Sequence, residues 1–160
     1  MSNAILSMPV PKNEPSYDYG PQSREKAQLK AELERLSKQQ IDIPLVINGK
    51  EIRTGETQKC VMPHNRRHQL GQFHKAGEDQ VQLAIQAALE ARREWANFPW
   101  EQRAGVFLKA AEILAREQRF TANAATMLGV SKTPIQAEID SACELIDFWR
   151  FNVHFMEQIY

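Results

Sequence analysis

The chain lacks any excess of one charge: 20 Lys and Arg stand against 20 Asp and Glu. Without a basic surplus it has no electrostatic footprint for nucleic acid or for an anionic membrane surface. Cysteine is scarce too, with only Cys60 and Cys143, far apart and without Cys-x-x-Cys or zinc spacing. That excludes a disulfide framework and a cysteine-built metal site, and it suits a reducing compartment, for which the cytosol is expected. No apolar run approaches the length of a membrane span. The first twenty residues carry one Lys, no Arg and no long apolar stretch, unlike a secretory or transit leader, and MSNAIL is given no role in the fold. What remains is ordinary for a globular chain: 42% hydrophobic and 25% charged residues over 160 positions, enough for one domain with a modest core.

Residues 1–21 hold Pro9, Pro11, Pro15, Gly20 and Pro21 with few large apolar groups, so they read as an extended arm that orders only against another surface. Ser23 then caps a helix within residues 22–40, whose sizeable apolar side chains are Ala27, Leu29, Leu33 and Leu36. One and a half heptads are too few for a coiled coil, so its charges read as a solvated face. Residues 43–75 read as a small antiparallel β patch. IPLVINGKEIRT flanks Asn48-Gly49, the pair that a type I′ hairpin turn demands. Cys60 to Met62 and Gln69 to His74 follow as strands around a turn from Pro63 to Arg67. His64, His68 and His74 lack an accompanying acidic or thiol ligand at a usable spacing, so they read as solvent-facing turn residues, and no metal is expected.

Residues 78–160 turn helical. Val81, Ala84, Ile85, Ala88 and Trp95 share a face, as do Ala104, Phe107, Leu108, Ala111 and Leu114 beyond the break at Asn97-Phe98-Pro99, which predicts a helical hairpin. A short helix from Phe120 to Leu128 follows, stopping near Gly129. Lys132-Thr133 invites a phosphate-loop reading, but Ser131 and Thr126 stand where that loop needs glycines. Thr133, Pro134 and Gln136 instead spell a capping box that opens a long final helix.

On that helix a regular wheel puts Ile135, Ile139, Ala142, Ile146, Trp149 and Val153 on a core stripe. Phe148, Phe151 and Phe155 lie opposite, with Glu144 among them. A helix apolar on two sides is sandwiched, so Glu144 is expected to be partly buried. A buried carboxylate needs a cationic or donor partner. Either Glu144 is a structural ion pair or surface charge, or it receives the cationic group of a ligand. Glu138, Asp140 and Asp147 have no comparable aromatic setting and read as surface charges.

AIQAALEARREW, RAGVFLKAAEILA and above all KTPIQAEIDSACELIDFWRFN resemble the N-terminal part of the L-glutamate γ-semialdehyde dehydrogenases, within the aldehyde dehydrogenase superfamily. The likeness spans about residues 24–160, and MPHNRRHQLGQF looks like that superfamily's early strand-turn-strand. The resemblance implies an α-rich α+β segment of an incomplete aldehyde dehydrogenase fold, from an enzyme that oxidises glutamate γ-semialdehyde to glutamate in proline breakdown. In that family a cysteine thiolate attacks the aldehyde, hydride passes to NAD, and water releases the acid. Glu144 matches the family glutamate lining the substrate pocket near the α-amino group. The family's Gly-rich cofactor motif, nucleophile, general base and carboxylate-anchoring loop are not among these 160 residues, and neither cysteine has the nucleophile motif around it. The implied expectations are therefore specific. No catalytic or cofactor-binding residue lies here, and the chain alone neither binds NAD nor turns over substrate. Its partner is the remainder of the dehydrogenase or a homologous subunit, in a homo-oligomer when complete. The alternative is a catalytically dead helical interaction module that associates with a full-length homologue.

Overall fold

A computed structural model describes residues 7–160. MSNAIL, and with it the first part of the expected arm, lies outside the described residues. The chain runs α1 (Arg24–Ser37), β1 (Ile41–Ile43), β2 (Leu45–Ile47), β3 (Lys50–Ile52), β4 (Thr57–Met62), β5 (Asn65–His74), α2 (Glu78–Asn97) and α3 (Trp100–Ile113). A π-helical turn over Leu114–Gln118 leads into α4 (Arg119–Val130). After α5 (Pro134–Ala137), a second π-helical turn over Glu138–Cys143 leads into α6 (Glu144–Ile159). Two compact units result.

The first unit comprises the described residues up to Leu33, with Pro99–Met127 and Lys132–Tyr160. Its core is built where α3 packs on α6: Ala111, Leu114, Ala115, Ala142 and Ile146 are buried, with Trp149 and Ala122 against them. Alanines at the crossing let the two backbones approach closely, so the contact is made by small groups around Ile146. Local signals were obeyed. Thr133 Oγ1 accepts from the Gln136 N–H at 3.3 Å and Gln136 Oε1 accepts from the Thr133 N–H at 3.0 Å, completing the capping box ahead of Pro134. Likewise Ser23 Oγ accepts from the Lys26 N–H at 3.2 Å to cap α1.

The two π-helical turns correct the regular wheel. A π turn closes i to i+5 and delays the helix by roughly one residue, about 100° of rotation. Across Glu138–Cys143 that delay turns Ile135 and Ile139 outward, 62% and 42% exposed, and brings Ala137 and Glu138 inward. Downstream, where the helix is regular again, Ile146 and Val153 are buried as expected. The earlier π turn likewise carries α3 into α4 without a break, so the separate short helix from Phe120 is the continuation of one long helix, and it places Arg119 inside.

The second unit is Glu34–Phe98 with Leu128–Ser131. Asn48 and Gly49 take φ of 51° and 71° and join β2 to β3 as the expected hairpin, while β4 and β5 pair antiparallel around a tight turn at Pro63 and His64. The strands do not form one antiparallel patch. They make two sheets, and β1 adds to β5 in parallel, Ile41 opposite Gly71. A Cβ on Gly71 would lie 2.2 Å from the Ile41 carbonyl oxygen, so only glycine admits β1 here. His74 is buried: its Nδ1 accepts from the Gly55 N–H at 3.2 Å and its Nε2 faces Asp42 at 3.4 Å, which corrects the solvent-facing reading. His68 Nε2 donates to the Ser37 carbonyl at 2.7 Å, and His64 pairs with Ser131 Oγ at 2.7 Å. Ser131, not Gly129, takes the left-handed φ of 62° just past α4. No residue of α2 is buried, so its expected packed face, including Val81, Ile85 and Trp95, stands open. α2 belongs to this unit and α3 to the other.

Candidate functional site

The arm is fastened to the helices by a buried charge cluster. Arg119 and Glu138 are both fully buried, and their guanidinium and carboxylate are in direct contact. Glu138 also accepts from the Tyr17 N–H at 2.8 Å, the Tyr19 hydroxyl at 2.6 Å and Asn123 Nδ2 at 2.7 Å. Arg119 pairs with Glu14 at 2.5 Å, donates to the Pro15 carbonyl at 2.6 Å, and lies 3.8 Å from the centre of the Tyr17 ring. Arg150 holds the other oxygen of Glu14 at 2.6 Å. The expected surface charge at Glu138 is thus the anchor for residues 14 to 19, because the π turn aims it inward.

Electrostatics fix the protonation states of this cluster. Burial alone pushes the Glu138 carboxyl up, but bonds from Arg119, Tyr19 and the Tyr17 N–H outweigh it and hold the group below the usual carboxylate range. Tyr19 is pushed up by burial and by the carboxylate it bonds, so it stays a neutral donor. Cys143, buried beside them, is pushed up to about 11 by burial and then by Glu138. A thiol so protonated is a poor nucleophile, in keeping with a structural role. The cluster is a lock for the arm.

A groove lies along α6 beside this lock. Glu144, Phe148, Phe151 and Phe155 recur at intervals of three and four, so they line one side of the helix; with Asn152, Asp147 and the arm's Asn13 they enclose about 420 Å³. Phe148 and Phe155 are 59% and 51% exposed, and Glu144 is exposed as well, which corrects the expectation of a partly buried carboxylate. Among the described residues Glu144 has no hydrogen-bond or ion-pair partner. Asp147 is different, since its two oxygens accept from the Glu14 N–H at 2.7 Å and Asn13 Nδ2 at 2.8 Å. Asp140 meets Lys132 at the surface. The groove therefore offers, on an aromatic wall, one carboxylate without a partner among the described residues, a combination chemically suited to a cationic group with an apolar stem.

A family model described as the aldehyde dehydrogenase family matches residues 51–160. The chain belongs to the aldehyde dehydrogenase family. It is 42% identical over 158 residues to the delta-1-pyrroline-5-carboxylate dehydrogenase of Agaricus bisporus, covering 98% of this chain and 29% of that protein. Over 157 residues it is 42% identical to the mitochondrial delta-1-pyrroline-5-carboxylate dehydrogenase of Dictyostelium discoideum, covering 98% of this chain and 28% of that one. A crystal structure of the Mycobacterium tuberculosis delta-pyrroline-5-carboxylate dehydrogenase bound with NAD is similar at a TM-score of 0.96 and 47% identity, over 99% of this chain and 30% of that chain. The chain thus spans under a third of the length of these dehydrogenases.

Within this family segment the groove contains Glu144, which the sequence singled out, but not its expected burial. Arg119, Asn13 and Glu14 went unnoticed, and Glu138 was read as a surface charge. No helix among the described residues is long and apolar enough to cross a membrane.

Proposed function

We propose that these residues are the N-terminal part of an NAD-dependent dehydrogenase that oxidises L-glutamate γ-semialdehyde to L-glutamate in proline breakdown, in the cytosol and as a homo-oligomer. The observation that carries the reading is Glu144, a carboxylate without a protein partner among the described residues, on a wall of three phenylalanines. It would pair with the substrate ammonium while the carbon chain lies along Phe148 and Phe151. The 42% identity to a delta-1-pyrroline-5-carboxylate dehydrogenase over nearly the whole chain supports this substrate, because that cyclic imine opens by hydrolysis to glutamate γ-semialdehyde.

The dinucleotide does not fit these residues. The helix start that directly follows a strand is that of α2, where the Gly77 N–H already donates to Gln80 Oε1 at 2.8 Å and Glu78 and Asp79 fill the first turn. Acidic groups there repel a pyrophosphate. NAD and the nucleophile therefore belong to the remainder of the dehydrogenase, and the 160 residues alone are inactive. A second reading, an inactive interaction module for a full-length homologue, is favoured by the open apolar face of α2. NADH formation from glutamate γ-semialdehyde separates these ideas. The complete dehydrogenase carrying these residues forms NADH and the isolated chain does not; turnover by the isolated chain would overturn the assignment of inactivity.

A further inference from the structure

The groove has a wall that does not come from α6. Asn13, from the extended arm, lines it together with Glu144, and its placement is unusually constrained for a residue in a segment without helix or strand. The next residue, Glu14, is held at both carboxylate oxygens by Arg119 and Arg150, at 2.5 and 2.6 Å, and its N–H donates to Asp147 at 2.7 Å. Asn13 itself donates through Nδ2 to the second Asp147 oxygen at 2.8 Å. An ionised carboxylate only accepts, so this bond fixes which end of the amide faces Asp147. The carbonyl Oδ1 is left as the free end of Asn13, and no hydrogen bond to it is formed among the described residues. Asp147, with both oxygens engaged by the arm, is a clamp and not a ligand for the groove's occupant.

We propose that Asn13 is a specificity-determining residue whose Oδ1 supplies a second acceptor for the substrate ammonium beside Glu144, so that the arm completes the site. The inference rests on the groove being the semialdehyde site. An ammonium carries three donors, and one carboxylate leaves at least one of them to be satisfied by another acceptor. Asn13 fits that role because the Asp147 clamp has already restricted its rotation, which lowers the cost of ordering it on binding. Arg119 and Glu138 act through it as positioning residues, since they hold the arm without lining the groove.

The test is steady-state kinetics of the complete dehydrogenase with glutamate γ-semialdehyde and with glutarate semialdehyde, the same carbon chain without the amino group. Asn13→Leu should raise KM for the amino-bearing aldehyde by about tenfold and for the other by less than about twofold, with kcat nearly unchanged. Asn13→Ser, which keeps a shorter acceptor, should fall between. Thermal unfolding of each variant registers any release of the arm, and a released arm would raise KM for both aldehydes. Equal changes for the two substrates, or none, while Glu144→Gln still discriminates between them, overturn the role of Asn13 alone. If Glu144→Gln also fails to discriminate, the groove reading falls and this inference falls with it.

Discussion

Replacing Glu138 by Gln tests the buried lock on which the arm depends. In the native cluster one carboxylate accepts from Arg119, the Tyr17 N–H, the Tyr19 hydroxyl and Asn123 Nδ2, all within a region where Arg119, Asn123 and Glu138 have no exposed surface. The amide keeps one accepting oxygen and turns an NH₂ towards groups that are themselves donors. Tyr19 can rotate its hydroxyl to accept, and Asn123 can turn its Oδ1, which has no partner in the native cluster, towards the new NH₂; what remains is the lost charge opposite Arg119. Arg119 keeps Glu14 at 2.5 Å, which offsets part of the loss. Breaking one side of a buried pair costs about 3–5 kcal/mol, so with Glu14 retained the expected loss is about 3 kcal/mol. Urea denaturation followed by tryptophan fluorescence measures it, and trypsin cleavage after the exposed Lys12 reports whether the arm has come away. Stability within about 0.5 kcal/mol of wild type and unchanged cleavage after Lys12 would refute the lock.

The same cluster makes stability depend on pH at both ends. Glu138 sits below its usual 4.5, so its contribution is full above that value and is lost as pH falls through the lower, folded-state value; Glu138→Gln should flatten the acid limb. Cys143 has the opposite sign: its contribution is full below pH 9.0 and is lost as pH rises towards about 11; Cys143→Ala should lessen this decline in urea titrations, leaving the part due to Tyr19, which is also pushed up. In the second unit, Gly71→Ala would drive a Cβ to 2.2 Å from the Ile41 carbonyl oxygen and 2.9 Å from the Ile41 backbone nitrogen. The expected result is a lower Tm, by about 1–3 kcal/mol in stability, with faster amide exchange at Ile41–Ile43; an unchanged Tm would contradict the close β1–β5 pairing.

What could be read from the sequence was local. Asn48-Gly49 specified its hairpin because few residue pairs tolerate two positive φ values in succession, and Thr133-Pro134-Ile135-Gln136 specified a helix start because its bonds close within four residues. The aromatic side of Glu144 was legible for a related reason: Glu144 to Phe155 lies within the regular helix α6, where 100° per residue holds. Upstream, the same projection failed at Ile135 and Ile139, since a π turn leaves no periodic mark of its own. Glu138 looked like a surface charge because its partners, Arg119, Tyr17 and Tyr19, lie 19 to 121 residues away in sequence. The parallel β1–β5 pairing was hidden for the same reason, and Gly71 marked a close approach only once its neighbour was known. The partly buried state expected of Glu144 followed from taking two apolar stripes to mean two covered faces. The second stripe instead borders an open groove.

The central claim is that Glu144 receives the ammonium of glutamate γ-semialdehyde. It is tested most directly by the KM values of the complete dehydrogenase and its Glu144→Gln variant for that aldehyde and for glutarate semialdehyde. Loss of a charge-assisted bond of about 1.5–3 kcal/mol predicts a rise of about tenfold or more for the amino-bearing substrate, against less than about twofold for the other. Equal rises for the two aldehydes would contradict it.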